Sequence, residues 1–162
     1  MTRDQLSDLY PDDLVASTAA LLQASMALFA AFDRAAVGPL GLDAATADLL
    51  VRLAKAPDNS LRGVDVAAQL RIGPTRVSRL VDRGEEAGLV QRTPDPNDRR
   101  AQRIVLTDAG VDVAVAYAPL MRSVIDQVAT DTFTAKERDQ LVALLRRLRD
   151  AADDVEAIDA VD

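Results

Sequence analysis

The stretch GPTRVSRLVDRGEEAGLVQRTPDPNDRRAQRIVLTDAG, residues 73–110, decides the fold. Gly73-Pro74 opens a helix, because proline at the first helical position gives up only an N–H that would have had no partner. Val77, Leu80 and Val81 recur at spacings of three and four and make the inward face. Thr75, Arg76, Ser78, Arg79 and Arg83 therefore point elsewhere. Gly88 is the stop. Leu89 to Pro94 and Gln102 to Leu106 are two short β-rich runs separated by Pro94-Asp95-Pro96-Asn97-Asp98. That composition is a turn, and the pair predicts a hairpin.

Working outward, Gly63 to Leu70 predicts a short helix with Val66, Ala67 and Leu70 inward. Asp43 to Ala56 predicts another, with Leu49, Leu50 and Leu53 inward and Pro57-Asp58-Asn59 ending it. Before it, Leu14, Thr18, Leu21, Leu22, Ser25, Leu28, Phe29 and Phe32 lie on one stripe of a long helix. Pro11, Asp12 and Asp13 suit its first turn, and it should stop near Gly38-Pro39. On the other side of the hairpin, Thr107 is a good N-cap for a fifth helix reaching about Ala129, which Pro119 should kink or break. Thr134-Ala135-Lys136-Glu137 is a capping box opening a sixth, with Leu141, Leu144, Leu145, Leu148, Ala152 and Val155 inward. Acids crowd the C-terminal end, where they oppose the helix dipole, so fraying is expected there. The expected class is mainly α, with about six helices and a small β-hairpin.

The charges are unevenly placed. The 162 residues carry 19 basic and 26 acidic side chains, a net −7, yet Arg71 to Arg103 holds eight arginines against five acids, a net +3. An acidic chain with one basic island can hold a polyanion through that island. A helix, a tight turn, a second helix decorated with Arg, Ser and Thr, and an Arg-tipped hairpin together make a winged helix-turn-helix. Its second helix fits the major groove of DNA, where short polar and arginine side chains reach base edges and phosphates. An arginine at the hairpin tip fits the narrower minor groove, where the potential is more negative.

Composition excludes much else. With no Cys and no His, disulfides, thiol switches, the common zinc sites and histidine general bases are all ruled out. No phosphate-binding glycine loop is present, so an enzyme is not expected, nor is a cofactor. The chain has no run of about 18 consecutive apolar residues, and its first residues show no signal-peptide pattern. The expectation is a soluble cytoplasmic protein with no membrane partner. Neighbouring acids (Asp12-Asp13, Glu85-Glu86, Asp153-Asp154) diverge by about 100 degrees around a helix and share no site. Phe29, Phe32, Tyr10 and Tyr117 read as core or dimer packing, with a ligand pocket the other reading. Arg146, Arg147 and Arg149 read as a helix surface paired with nearby acids.

Residues 73–90, with the recognition helix and the Glu85-Glu-Ala-Gly-Leu-Val run, resemble MarR-type repressors. Pro94-Asp-Pro-Asn-Asp-Arg-Arg resembles their wing, and Arg103-Ile-Val-Leu-Thr-Asp-Ala-Gly resembles the strand-to-helix junction that follows. The resemblance is best over Gly73 to Gly110, and the flanking helices agree in number and order. It implies a sequence-specific DNA-binding regulator: a homodimer joined by its first and last helices (residues 5–38 and 107–158), with residues 42–106 forming the winged lobe. It implies repression from a palindromic double-stranded operator and release by a small effector, often aromatic or phenolic. It puts Thr75, Arg76, Ser78 and Arg79 at the DNA and Arg83 near the backbone, with Arg99 and Arg100 on the wing. Asp98 would hold a wing arginine in place while Arg100 reaches the minor groove; the residues alone leave open that Asp98 only caps the turn. The rival reading is a helical dimer that works through protein partners without DNA. Gly84 departs from the family pattern, which has a large apolar residue there, and a glycine inside a helix predicts that the helix ends early or bends.

Overall fold

The computed structural model describes residues 12–154. The expected start of the first helix near residue 5, its Tyr10, and the expected end near 158 with Val155 lie outside those residues, as does the Arg99 side chain. The elements run α1 (Asp12–Leu40), α2 (Ala44–Lys55), a 3-10 turn (Pro57–Asn59), β1 (Ser60–Arg62), α3 (Gly63–Leu70), α4 (Pro74–Glu86), β2 (Val90–Asp95), β3 (Asp98–Leu106), α5 (Asp108–Thr130) and α6 (Ala135–Asp153). The chain forms two compact units, one up to Arg122 and one from Ser123 onward.

In the first unit, a three-stranded antiparallel sheet in the order β1-β3-β2 closes a core of leucine, valine and isoleucine. Leu49, Leu50 and Leu53 of α2, Val66 of α3, and Val77, Leu80 and Val81 of α4 meet Leu61, Leu89, Val90, Ile104 and Leu106 from the strands and their flanks. These are the helical positions that spacing placed inward. The three-residue strand β1 was not expected. It sets Leu61 opposite Ile104 and Arg62 opposite Arg103, and makes β3 the central strand. The hairpin is also longer than its β-rich runs, since β3 begins at Asp98. Pro94, which has no N–H for a ladder, lies on the edge strand β2, where that is tolerated.

A second cluster joins α1 to this lobe: Ala36, Ala47, Val51 and Tyr117, with Leu40, Leu120 and Met121 against them. Burial raises the Tyr117 hydroxyl pKa, with the Asp48 and Asp33 carboxylates adding to the effect. Tyr117 is thus a core residue. Asp33 reaches from α1 to accept the Ala44 N–H at 2.6 Å, and Asp43 accepts the Thr46 N–H at 2.7 Å. Two carboxylates therefore cover the positive end of α2.

Helix α1 ends at Leu40, beside the expected Gly38-Pro39, with Gly41 at φ +69° donating to the Val37 carbonyl. Two expectations about helix interiors are corrected. Helix α5 runs unbroken through Pro119. The carbonyl that loses its bond there belongs to Val115, on the exposed side, where water can serve it. Helix α4 runs past Gly84 to Glu86 and ends at Gly88 (φ +70°), with Leu89 N–H returning to the Gly84 carbonyl at 2.9 Å.

Gly84 is buried because β2 comes close. A Cβ built on it would lie 2.8 Å from Cγ2 of Val90, itself a buried and β-branched side chain with little freedom to turn away. The space that a large residue would occupy is filled from the strand. Alanine at 84 would gain about 1 kcal/mol of helix propensity and lose about as much or more to overpacking. Gly84→Ala should therefore be neutral to mildly destabilising in the parent, yet stabilise a Val90→Ala background by about 1 kcal/mol. Equal effects in the two backgrounds, read by thermal unfolding, would defeat this account.

Several apolar residues of α1 are exposed among the described residues. Met26 and Phe29 are 71% and 61% exposed, with Leu22 beside them. By length and composition, Val15–Leu40 is also the one helix among the described residues long and apolar enough to cross a bilayer. In the second unit, the Thr134 capping box forms as expected: the Thr134 N–H donates to Glu137 at 2.8 Å and the Glu137 N–H to the Thr134 hydroxyl at 3.3 Å. The Thr134 N–H first, and then the Thr134 hydroxyl, which donates to the same carboxylate at 2.7 Å, hold the Glu137 carboxyl below its ordinary range. Leu141, Leu144, Leu145 and Leu148 of α6 are exposed, and Arg149 pairs with Asp150 at 2.7 Å.

Candidate nucleic-acid interface

Helix α4 turns its polar residues outward as its spacing dictates. Thr75, Arg76, Ser78 and Arg79 are all exposed, with Val77 and Leu80 beneath them in the core. The turn before it is made by Arg71, which caps α3 in the left-handed region at φ 51°, followed by Ile72 and Gly73. The wing follows the tight turn Pro96-Asn97, with Asp98 and Arg100 both exposed.

The eight arginines of the basic island are not equivalent. Arg92 donates to Asp82 at 2.7 Å, pairs with Glu85, and reaches the Ser78 carbonyl at 3.3 Å. Its backbone N–H also donates to Glu85 at 2.8 Å, so one residue clamps β2 to α4. Arg83, half exposed, lies 3.4 Å from Asp43 at the start of α2. Arg103 donates to the Ser60 hydroxyl at 2.6 and 2.9 Å and ties β3 to β1. Among the described residues, Arg76, Arg79 and Arg100 carry guanidinium groups with no carboxylate partner. Among the described side chains of the island, those three carry charge that no carboxylate offsets.

Asp98 accepts the Arg100 backbone N–H at 3.0 Å, and its other oxygen lies 3.7 Å from Arg62. A second wing carboxylate, Asp95, was not singled out by its sequence position. Its side chain is 1% exposed and accepts Arg62 Nε at 2.8 Å, the Asn97 N–H at 2.8 Å and the Asp98 N–H at 3.2 Å. Arg103 lies 3.7 Å away. The Arg62 hydrogen bond, followed by the Asn97 N–H, lowers the Asp95 carboxyl below its usual range. A lowered folded-state pKa contributes stability that is complete above the ordinary carboxylate pKa and lost only as pH falls through the depressed value. Arg62, Asp95 and Arg103 could have been flagged only by knowing that β1 exists.

Sheet topology, the two-helix corner and the hairpin define this chain as a winged helix-turn-helix protein. The pattern of the MarR family matches residues 40–101. Over that stretch the chain is similar to proteins of that family. It is 26% identical over 107 residues to the transcriptional repressor MprA of Escherichia coli K12, covering 66% of this chain and 60% of that one. It is 35% identical over 72 residues to the transcriptional repressor NicR of Pseudomonas putida, covering 44% and 45%. The chain thus matches less than two thirds of the length of these curated relatives, and both are regulators rather than enzymes. Among solved structures, it resembles the MarR family regulator Sco3205 of Streptomyces coelicolor, crystallised in complex with DNA, at a TM-score of 0.81 and 27% identity over 88% of this chain and 89% of that one.

Proposed function

We propose that this protein is a transcriptional regulator that binds double-stranded DNA as a homodimer and represses from a palindromic operator. The observation that carries the reading is the exposed set Arg76 and Arg79 on α4 and Arg100 on the wing, none with a carboxylate partner among the described residues, in a chain of net charge −7. Thr75 and Ser78 lie among them and suit base edges or phosphates. Arg83 and Arg99 belong to the proposed contact set near the backbone and on the wing. The similar regulator Sco3205, crystallised in complex with DNA, supports DNA binding.

The apolar residues of α1 and of α6 support the dimer. Met26, Phe29 and Leu22 on the first helix are open to solvent, and so are Leu144 and Leu148 on the second. A soluble monomer rarely leaves so much apolar surface open, and a second copy covers it. Two recognition helices on one face of B-DNA then read half-sites about 10 base pairs apart. A small aromatic or phenolic effector completes the reading. A cavity of about 360 Å³ between α2, β1, α3 and α5, lined by Val51, Arg52, Lys55, Leu61 and Met121, is of a size for one.

The test is selection of bound fragments from a random DNA library, followed by salt titration of the selected site. Three or four arginines on phosphates per protomer give a slope of log K against log salt of about −5 to −7. A slope near zero, or no selected sequence, would overturn the reading.

A further inference from the structure

The wing's hydrogen-bond register contains an interruption at the residue that matters most. Strand β2 pairs Pro94 with Gln102, but the next residue, Asp95, pairs with Asp98. Arg99, Arg100 and Ala101 consequently have no opposite residue on β2. A bulge of this kind re-aims side chains, and its geometry is set by whatever fixes its two ends. One end is the Pro94–Gln102 pair within the ladder. The other is Asp95–Asp98, at the turn, where the ladder stops and side chains must do the fixing.

We infer that Asp95 is the positioning residue of the wing: by gripping the turn amides and Arg62 together, it sets the direction in which Arg100 leaves the hairpin. The inference rests on the proposed reading that the wing meets DNA.

The carboxylate is suited to the task. One oxygen accepts the N–H groups of Asn97 and Asp98, which shapes the turn, and the other accepts Arg62 Nε, which belongs to β1 just before α3. A carboxylate this buried must keep its donors, because a buried charge without partners is expensive. The turn is therefore tied to the body of the lobe and not only to its own hairpin. Asp98, held at its N–H by Asp95, passes the constraint on by accepting the Arg100 N–H. Arg62 is committed to Asp95 and Asp98, so it acts as a strut here and not as free charge for a phosphate.

Asp95→Asn keeps an oxygen for the turn amides but removes the charge that holds Arg62 and Arg103. It should leave the fold and the dimer intact at the assay temperature, with a lowered melting temperature from the lost ion pair, and weaken binding to the selected operator roughly tenfold, the scale expected when one specific arginine no longer reaches DNA. In an Arg100→Ala background the same substitution should cost less than about twofold, because its effect runs through Arg100. A merely structural role would weaken binding equally in both backgrounds, and that outcome overturns the inference. So does an Asp95→Asn protein that binds as the parent does. If Asp95→Asn does not fold, Arg62→Gln decides the matter by removing the same bond from its exposed partner, with the same dependence on Arg100 expected. A parent protein that selects no DNA overturns the functional reading and this inference together; a binding parent with unaffected variants overturns this inference alone.

Discussion

Replacing Gly110 with alanine should lower stability by about 3 kcal/mol, the upper end of what overpacking costs in a filled site. Gly110 lies in the first turn of α5, and a Cβ there would stand 2.0 Å from the Leu89 carbonyl oxygen and 2.9 Å from Cδ2 of Leu106. The obstacle is backbone, which cannot rotate aside. Nor can that carbonyl retreat freely, since it accepts the Thr107 N–H at 3.1 Å and belongs to a buried residue. Thr107 fixes the other side, accepting the Gly110 N–H at 3.1 Å while donating to the Gly88 carbonyl at 2.8 Å. The helix propensity alanine brings, about 1 kcal/mol, is too small to offset the collision. For a chain of this size the melting temperature should fall by about 6–12 °C. Gly63, where a Cβ would meet nothing within 4 Å, is the control, and Gly63→Ala should melt close to the parent. A Gly110→Ala protein melting as the parent does would show that the strand–helix junction has slack the geometry denies.

That junction also shows what a sequence can and cannot carry. Leu106-Thr107 followed by Gly110 was readable as a strand running into a capped helix, because caps and periodicity are local. The reason for the glycine was not readable, since the atom it must clear belongs to Leu89, on the far side of the hairpin. Gly84 failed the same way: on propensity alone it should cut the helix, and only the approach of Val90 explains why the helix continues. The strand β1 is three residues long, too short to show a period of two, and it is recognised only by its partner β3. The basic island was legible as charge, but its division was not. Arg92 is matched by Asp82 and Glu85 seven to ten residues away, Arg83 by Asp43, and Arg62 by Asp95 across 33 residues. Among the described residues, the exposed and unmatched arginines of the island, Arg76, Arg79 and Arg100, are the part that can address a polyanion. Burial likewise separates two acids that look alike in the sequence, since Asp95 is enclosed while Asp98 is half open.

Arg100→Ala should leave fold and dimer intact and weaken operator binding by about 1–3 kcal/mol, the range for removing one specific arginine from a DNA interface. Its side chain is exposed, has no carboxylate partner among the described residues, and leaves the strand within the bulge, so the core does not depend on it. The salt slope should flatten by about one unit for each phosphate that each protomer no longer neutralises. Arg76→Ala, on α4, should instead relax preference at one position of each half-site if it reads a base edge, which selection from a randomised site would reveal. Asp98→Ala separates the two roles open to that carboxylate. Its bond goes to the Arg100 backbone N–H, so if it aims Arg100 the double variant should lose little more than Arg100→Ala alone. Fully additive losses would mean that Asp98 shapes the turn and leaves the arginine to find its own way. Unchanged affinity in Arg100→Ala would remove the wing from the interface and leave α4, with Arg76 and Arg79, to carry specificity alone.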